Sequence, residues 1–116
     1  MRIIVPIKQV PQSSDVKMDP VTGTMIRSGS ASVLNPLDLY AIETALRLKE
    51  ERDDATVTAI TMGPASADRI LKEALSMGCD EAVHLSAREF SGSDTYATSY
   101  ILAKAIRKIG DADLII

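Results

Sequence analysis

Polar and glycine-bearing residues stand directly behind apolar runs at several points of the chain, and these are the places where chemistry is conceivable. Lys8 follows Ile3-Ile4-Val5-Pro6-Ile7, Met62-Gly63-Pro64 follows the β-rich run Ala55 to Thr61, and Asn35 and Asp94 each precede a stretch of helical periodicity. Backbone N–H groups at the start of a helix attract anions, and a glycine lets a ligand approach the main chain closely. Such a set suits the ribose, base and phosphates of a nucleotide. Each piece also has a plainer reading. Asn35-Pro36 is a good helix cap, Gly63-Pro64 an ordinary strand-to-helix turn, and Asp94-Thr95 a cap by default. Thr98 and Ser99, in the first turns of the following helix, matter only if their hydroxyls face the same crevice. Lys8 suits either a phosphate contact or a solvated position.

Bond-breaking chemistry finds no support in these residues. The sequence contains no Gly-x-Gly-x-x-Gly, no Gly-Lys-Ser/Thr phosphate loop, no nucleophile elbow and no histidine spacing suited to a metal. His84 is the single histidine and reads as a packing or surface residue, while Glu50-Glu51 and Asp53-Asp54 read as a solvated helix end and loop. Cys79 is the single cysteine, which excludes an internal disulfide or a Cys-x-x-Cys pair, and its acidic neighbours Asp80 and Glu81 raise a thiol pKa. Catalytic and metal-ligating residues are therefore expected to be absent. Any chemistry belongs to a bound cofactor.

Positioning these segments requires an alternating α/β framework. Ile3 to Ile7 is the unbroken apolar run of a strand covered on both faces. Lys8 to Leu34 is a polar excursion expected to form a small hairpin, in which Asp19-Pro20-Val21-Thr22-Gly23-Thr24 suits a tight turn between Val16–Met18 and Met25–Arg27. Asn35 then caps a helix with Pro36 at its first position, and Leu37, Ala41, Ile42, Ala45, Leu46 and Leu48 recur at helical spacing down to Glu51. After the strand Ala55 to Thr61, a second helix starts at Ala65, presents Ile70, Leu71, Ala74 and Leu75 on one face, and ends at Gly78. The third strand spans Glu81 to Leu85, and the third helix runs from Asp94 to Gly110 with Ala97, Ile101, Leu102, Ala105, Ile106 and Ile109 inward. A fourth strand begins at Asp113-Leu114-Ile115-Ile116.

This order implies a three-layer, doubly wound α/β fold, with a parallel sheet, right-handed crossovers and helices on both faces. Ligands of such sheets sit beyond the carboxyl ends of the strands, where strand order reverses. Because the sequence stops on Leu-Ile-Ile, read as a buried strand whose far edge has no covering, residues 1–116 are expected to be a single partial domain, truncated after about four strands. In isolation that piece is expected to be marginally stable and to bind flavin weakly or not at all.

The bulk properties narrow the partners. With 46% hydrophobic and 25% charged residues, the 116-residue chain has the composition of one soluble domain. A net charge of −3 and an aromatic complement of three Tyr and one Phe argue against nucleic acid. No apolar run approaches the roughly 18 residues of a membrane span. A cytoplasmic location is expected, with no membrane insertion.

Several stretches together resemble the β subunit of electron-transfer flavoproteins, the FixA-like group included. They are Ile4-Val5-Pro6-Ile7-Lys8-Gln9-Val10-Pro11, Met18-Asp19-Pro20-Val21-Thr22-Gly23, Asn35-Pro36-Leu37-Asp38 leading to Glu43-Thr44-Ala45-Leu46-Arg47-Leu48-Lys49, Thr61-Met62-Gly63-Pro64, Ala74-Leu75-Ser76-Met77-Gly78-Cys79-Asp80-Glu81, and Gly92-Ser93-Asp94-Thr95-Tyr96-Ala97-Thr98-Ser99. The resemblance implies an electron-transfer subunit, not an enzyme by itself, that forms a heterodimer with an α subunit. Electrons would pass through FAD between a dehydrogenase and a quinone-reductase-type or other acceptor. It also implies AMP in the β subunit, or a second FAD that meets NADH in members performing electron bifurcation. Lys8-Gln9-Val10-Pro11 and Asp94-Thr95-x-x-Thr98-Ser99 look more like the bifurcating and FixA-like members, which favours FAD.

Carried over by position, Pro6 and its neighbours would pass the adenine, Asn35 and Asp38 would approach the adenosine, and Met62-Gly63 would line the crevice wall. Asp94, Thr95 and Thr98 would lie near the ribityl or flavin side. Gln12 stands where the family usually has an acid, and the resemblance implies that the family's diphosphate-gripping Gly-(Lys/Arg)-Gln-Ala-x-Asp segment would lie beyond Ile116. A stand-alone nucleotide-binding sensor of universal-stress-like architecture is the alternative.

Overall fold

In the computed structural model, which describes residues 1–12, 18–24 and 31–116, the apolar run at the N-terminus becomes the central strand β1 (Arg2–Pro6). The chain continues through two short strands, β2 (Gln9–Pro11) and β3 (Ser32–Leu34), into helix α1 (Pro36–Glu50) and strand β4 (Thr56–Met62). Helix α2 (Asp68–Met77), strand β5 (Glu81–Leu85), helix α3 (Thr95–Ile109) and strand β6 (Leu114–Ile115) complete it. The main sheet is parallel with order β5-β4-β1-β6. The expected α/β sheet is therefore present, with strand order reversing between β1 and β6.

Alternation along the strands builds two buried layers. Ile3, Val5, Val57 and Ala59 meet Ile42 and Ala45 of α1 and Ile70, Leu71 and Ala74 of α2 in one core. Ile4, Thr58 and Ile60, which alternate with them, are also fully buried. The connection to β6 runs back past β1, so a right-handed crossover sets α3 on the face opposite α1 and α2.

The helix ends follow local chemistry. Asn35 Oδ1 accepts the Leu37 N–H at 3.0 Å and Asp94 Oδ1 accepts the Ala97 N–H at 2.8 Å, both as capping predicts. Gly78 closes α2 at φ +128°, and a Cβ there would meet Leu46 Cδ2 at 3.3 Å. Four expectations need correction. Helix α2 begins at Asp68, because Ala65–Ala67 form a separate 3-10 turn. Leu37 and Leu75, expected inward, are exposed. The core contacts of the two helices are made instead by residues that include Ile42, Ala45 and Ala74. The inward face of α3 is only half-buried, and Ile115 of β6, expected in a buried strand, is exposed because β6 pairs with β1 alone among the described residues.

The turn Asp19–Thr24 forms as expected. Asp19 N–H donates to the Thr24 carbonyl at 2.7 Å, and Asp19 Oδ1 accepts the Val21 N–H at 2.8 Å. Of its expected arms, Val16, Lys17 and residues 25–27 lie outside the described residues. Below it is an element the sequence did not announce, an antiparallel ribbon pairing Gln9 with Leu34 and Pro11 with Ser32.

At the opposite end of the sheet, Asp80 joins three elements. Its Oδ1 accepts from Lys49 Nζ at 2.7 Å and its Oδ2 from the Val57 N–H at 2.8 Å. Burial alone would raise the carboxyl, but the Lys49 hydrogen bond, the Val57 amide and the Lys49 charge outweigh it and hold the pKa below the ordinary value. Asp80→Ala orphans the amide of buried Val57 and is expected to cost about 1–2 kcal/mol in urea unfolding of the full-length protein. A depressed folded-state pKa gives stability that is present above the unfolded-state pKa and lost as pH falls through the folded one. The difference between wild type and variant is therefore expected to be full at neutral pH and to shrink in acid.

Candidate functional site

The segment that leaves β1 is held on every side. Ile7 N–H donates to the Ile60 carbonyl at 2.8 Å, and the Ile7 carbonyl accepts from buried Thr61 Oγ1 at 2.7 Å. Lys8 N–H donates to Asp38 Oδ2 at 2.7 Å, and the Lys8 carbonyl accepts the Asn35 N–H at 2.8 Å. All four main-chain polar groups of Ile7 and Lys8 thus have partners, which fixes the loop. Lys8 then reaches across β4, where its Nζ donates to the Met62 carbonyl at 3.0 Å. The next carbonyl, Gly63, lies 3.1 Å from His84 Nε2, so that ring nitrogen carries the proton. His84 is thereby a support of the Gly63-Pro64 turn and not merely a surface residue.

Above this floor opens a crevice of ≈670 Å³. Lys8, Met62, Gly63 and Pro64 line one side, and Met18, Gly23 and Thr24 of the excursion turn line another. The loop from Ser86 to Ser93, including Arg88 and Phe90, closes it together with Thr98 of α3. Strand order reverses between β1 and β6, yet the crevice lies over the β1, β4 and β5 ends. The two turns Asp19–Thr24 and Arg88–Phe90 supply its walls there, which explains the displacement. A smaller cavity of ≈170 Å³ between the β2–β3 ribbon and α2 is lined by Gln9, Ser32, Arg69 and Glu73 among others, and lies off the strand ends.

Of the residues singled out in the sequence, Lys8, Met62, Gly63 and Thr98 line the crevice. Pro6 ends β1, paired with Ile60. Asn35 and Asp94 spend their side chains as helix caps, Thr95 is exposed behind Asp94, and Asp38 holds the Lys8 amide. Burial raises the Asp38 pKa, and the hydrogen bond from the Lys8 amide partly opposes it. Sequence reading missed Arg88, Phe90 and the excursion residues Met18, Gly23 and Thr24. The polar stretch Ser86 to Ser93 between a strand end and a helix cap was the available signal.

Among the described residues the lining carries the cations Lys8 and Arg88 and no acidic side chain, in a chain of net charge −3. Hydroxyls of Ser91, Ser93 and Thr98 accompany them. Such a surface can take an anionic ligand with sugar-like hydroxyls and an apolar ring system. Cys79 offers no nucleophile: burial first, and the Asp80 charge second, push its thiol up, against a smaller lowering by Lys49. Among the described residues no group of His, Cys, Asp and Glu could hold a metal, and no helix is long and apolar enough to cross a membrane.

Comparison with known proteins places the fold and crevice in context. Residues 22–116 match the family model described as the electron transfer flavoprotein domain. The chain is 52% identical over 116 residues to the caffeyl-CoA reductase-Etf complex subunit CarD of Acetobacterium woodii, covering all of this chain and 44% of that protein. It is 50% identical over 111 residues to protein FixA of Azorhizobium caulinodans, covering 96% of this chain and 39% of that protein. It is 49% identical over 109 residues to the electron transfer flavoprotein subunit beta of Megasphaera elsdenii, covering 94% of this chain and 40% of that protein. The chain thus spans about two fifths of the length of these curated relatives. On the matched domain and on β-type relatives at about half identity along the chain, the protein belongs to the electron transfer flavoprotein family.

Proposed function

We propose that the full-length protein is a cytoplasmic electron-transfer subunit, not an enzyme by itself, and that residues 1–116 form one wall of its adenine-nucleotide site. It pairs with an α subunit and relays electrons between a dehydrogenase or NADH and a quinone-reductase-type acceptor. The observation that carries this reading is the crevice at the strand ends, cationic and free of acids among its described lining in an acidic chain. The names of the relatives, a β subunit and a member of a reductase-Etf complex, support it.

The residues fit FAD or AMP. Lys8 and Arg88 suit phosphates, the hydroxyls of Ser91, Ser93 and Thr98 suit a ribose or ribityl chain, and Met62, Gly63 and Phe90 give an apolar wall. Gly63 lets a ligand approach the main chain. A flavin bound there would accept and pass on electrons; the chain's own part is to bind it, orient it and exclude water.

The purified full-length heterodimer is expected to carry a flavin assigned to the β subunit that NADH bleaches at the yellow absorption band. A β subunit holding AMP alone would overturn the FAD assignment and leave the AMP form. Absence of both nucleotides, with no binding in a titration, would overturn the whole reading.

A further inference from the structure

The first turn of α1 departs from the usual way of closing a helix N-terminus. Asn35 is the N-cap and Asp38 stands at the third helical position, where an acid ordinarily reaches back to the N–H of the cap residue. Here it does not. The Asn35 N–H goes to the Lys8 carbonyl at 2.8 Å, and the Asp38 carboxylate takes the Lys8 N–H at 2.7 Å. The helix start therefore grips the main chain of one residue from both sides. That residue, through its Nζ, holds the Met62 carbonyl at 3.0 Å on the crevice wall.

We propose that Asp38 is a positioning residue, which acts through Lys8 to set the Met62-Gly63 wall of the crevice and thereby its affinity for nucleotide. The inference rests on the nucleotide-site reading above and adds a residue outside the crevice lining to it. Three contacts in series carry it: Asp38 to Lys8 N, Lys8 Nζ to the Met62 carbonyl, and Gly63 N–H to the Leu85 carbonyl at 3.1 Å. Each joins a different pair of elements, so losing the first loosens the loop that bears Lys8 while its other main-chain bonds remain. The partial burial of the Asp38 carboxyl agrees with a group whose hydrogen bond to its neighbour offsets some lost solvation.

The test uses the full-length protein with its α partner and the variants Asp38→Ala, Asp38→Asn and Ile42→Val. The last loosens α1 from within the core without touching the latch. Titrated with FAD and with AMP, Asp38→Ala is expected to bind about tenfold more weakly, roughly the worth of one charge-assisted hydrogen bond. Asp38→Asn, whose amide oxygen still accepts the Lys8 N–H, is expected to recover most of the affinity. Ile42→Val is expected to lose stability without losing affinity. In nucleotide-free protein, hydrogen exchange of the Lys8-Gln9 and Met62-Gly63 amides is expected to accelerate in Asp38→Ala while the later turns of α1 stay protected. Unchanged exchange at Met62-Gly63, or affinity that merely tracks stability across the three variants, overturns the inference. Accelerated exchange in a protein whose wild type binds neither nucleotide supports the latch and removes the nucleotide-site reading instead.

Discussion

Gly63→Val is expected to lower the affinity of the full-length protein for FAD or AMP by about a hundredfold and to cost about 1–3 kcal/mol of stability. A Cβ at this position meets Ala67 Cβ at 3.1 Å and lies 3.9 Å from Lys8 Nζ. Ala67 is fully buried in the turn that starts α2, so it cannot retreat without moving the helix. The main chain of Gly63 is tied as well, its N–H to Leu85 and its carbonyl to His84. A branched side chain must therefore push outward into the crevice or drive Lys8 from Met62, and either outcome spoils the same wall. Gly63→Ala, with a single methyl, is expected to show a smaller effect of the same sign. Titration with nucleotide and urea unfolding separate the two losses, and full affinity in the valine variant would contradict the placement of this wall.

Ile42→Ala is expected to cost about 2–5 kcal/mol, the range for truncating a buried aliphatic side chain where the surroundings relax only partly. Ile42 is 0% exposed and sits where α1 meets Ile3, Val5 and the α2 residues Ile70 and Leu71. Against a typical stability of about 5–15 kcal/mol this is a large share. Leu37→Ala on the same helix, at a position 72% exposed, is expected to change stability by less than about 0.5 kcal/mol. Denaturant midpoints for the pair measure which apolar positions of α1 face the core.

That contrast shows what the sequence could reveal. Caps and turns were legible at Asn35, Gly78, Asp94 and the Asp19–Thr24 turn, because each is decided by residues a few positions apart. Strand existence was legible from the runs at Ile3 and Ala55. The facing of individual side chains was not. Leu37 fits the helical period of α1 as well as Ile42 does, and only the shape of the sheet beneath decides between them. The β2–β3 ribbon escaped notice because three-residue strands containing Pro11 carry no period, and their pairing joins residues more than twenty positions apart. Lys8, Met62, Gly63 and Thr98 were found by the strand-end rule. Arg88 and Phe90 were not, since an irregular loop has no period to place its side chains. The same limit hid the role of Asp38: its type and cap position were plain, but its partner Lys8 is thirty residues away.

The position of β1 in the sheet also bears on how the protein is made. Its two neighbours, β4 and β6, arrive late, and the hydrogen bond from Arg2 N–H to Asp113 spans 111 residues. At synthesis rates of about 5–20 residues per second, β1 waits on the order of ten seconds for its neighbour β6. During that time Ile3, Ile4 and Val5, fully buried in the finished fold, present an open strand edge. The nascent chain therefore keeps this apolar edge unpaired through much of its synthesis, and dependence on a chaperone is expected to centre on those residues.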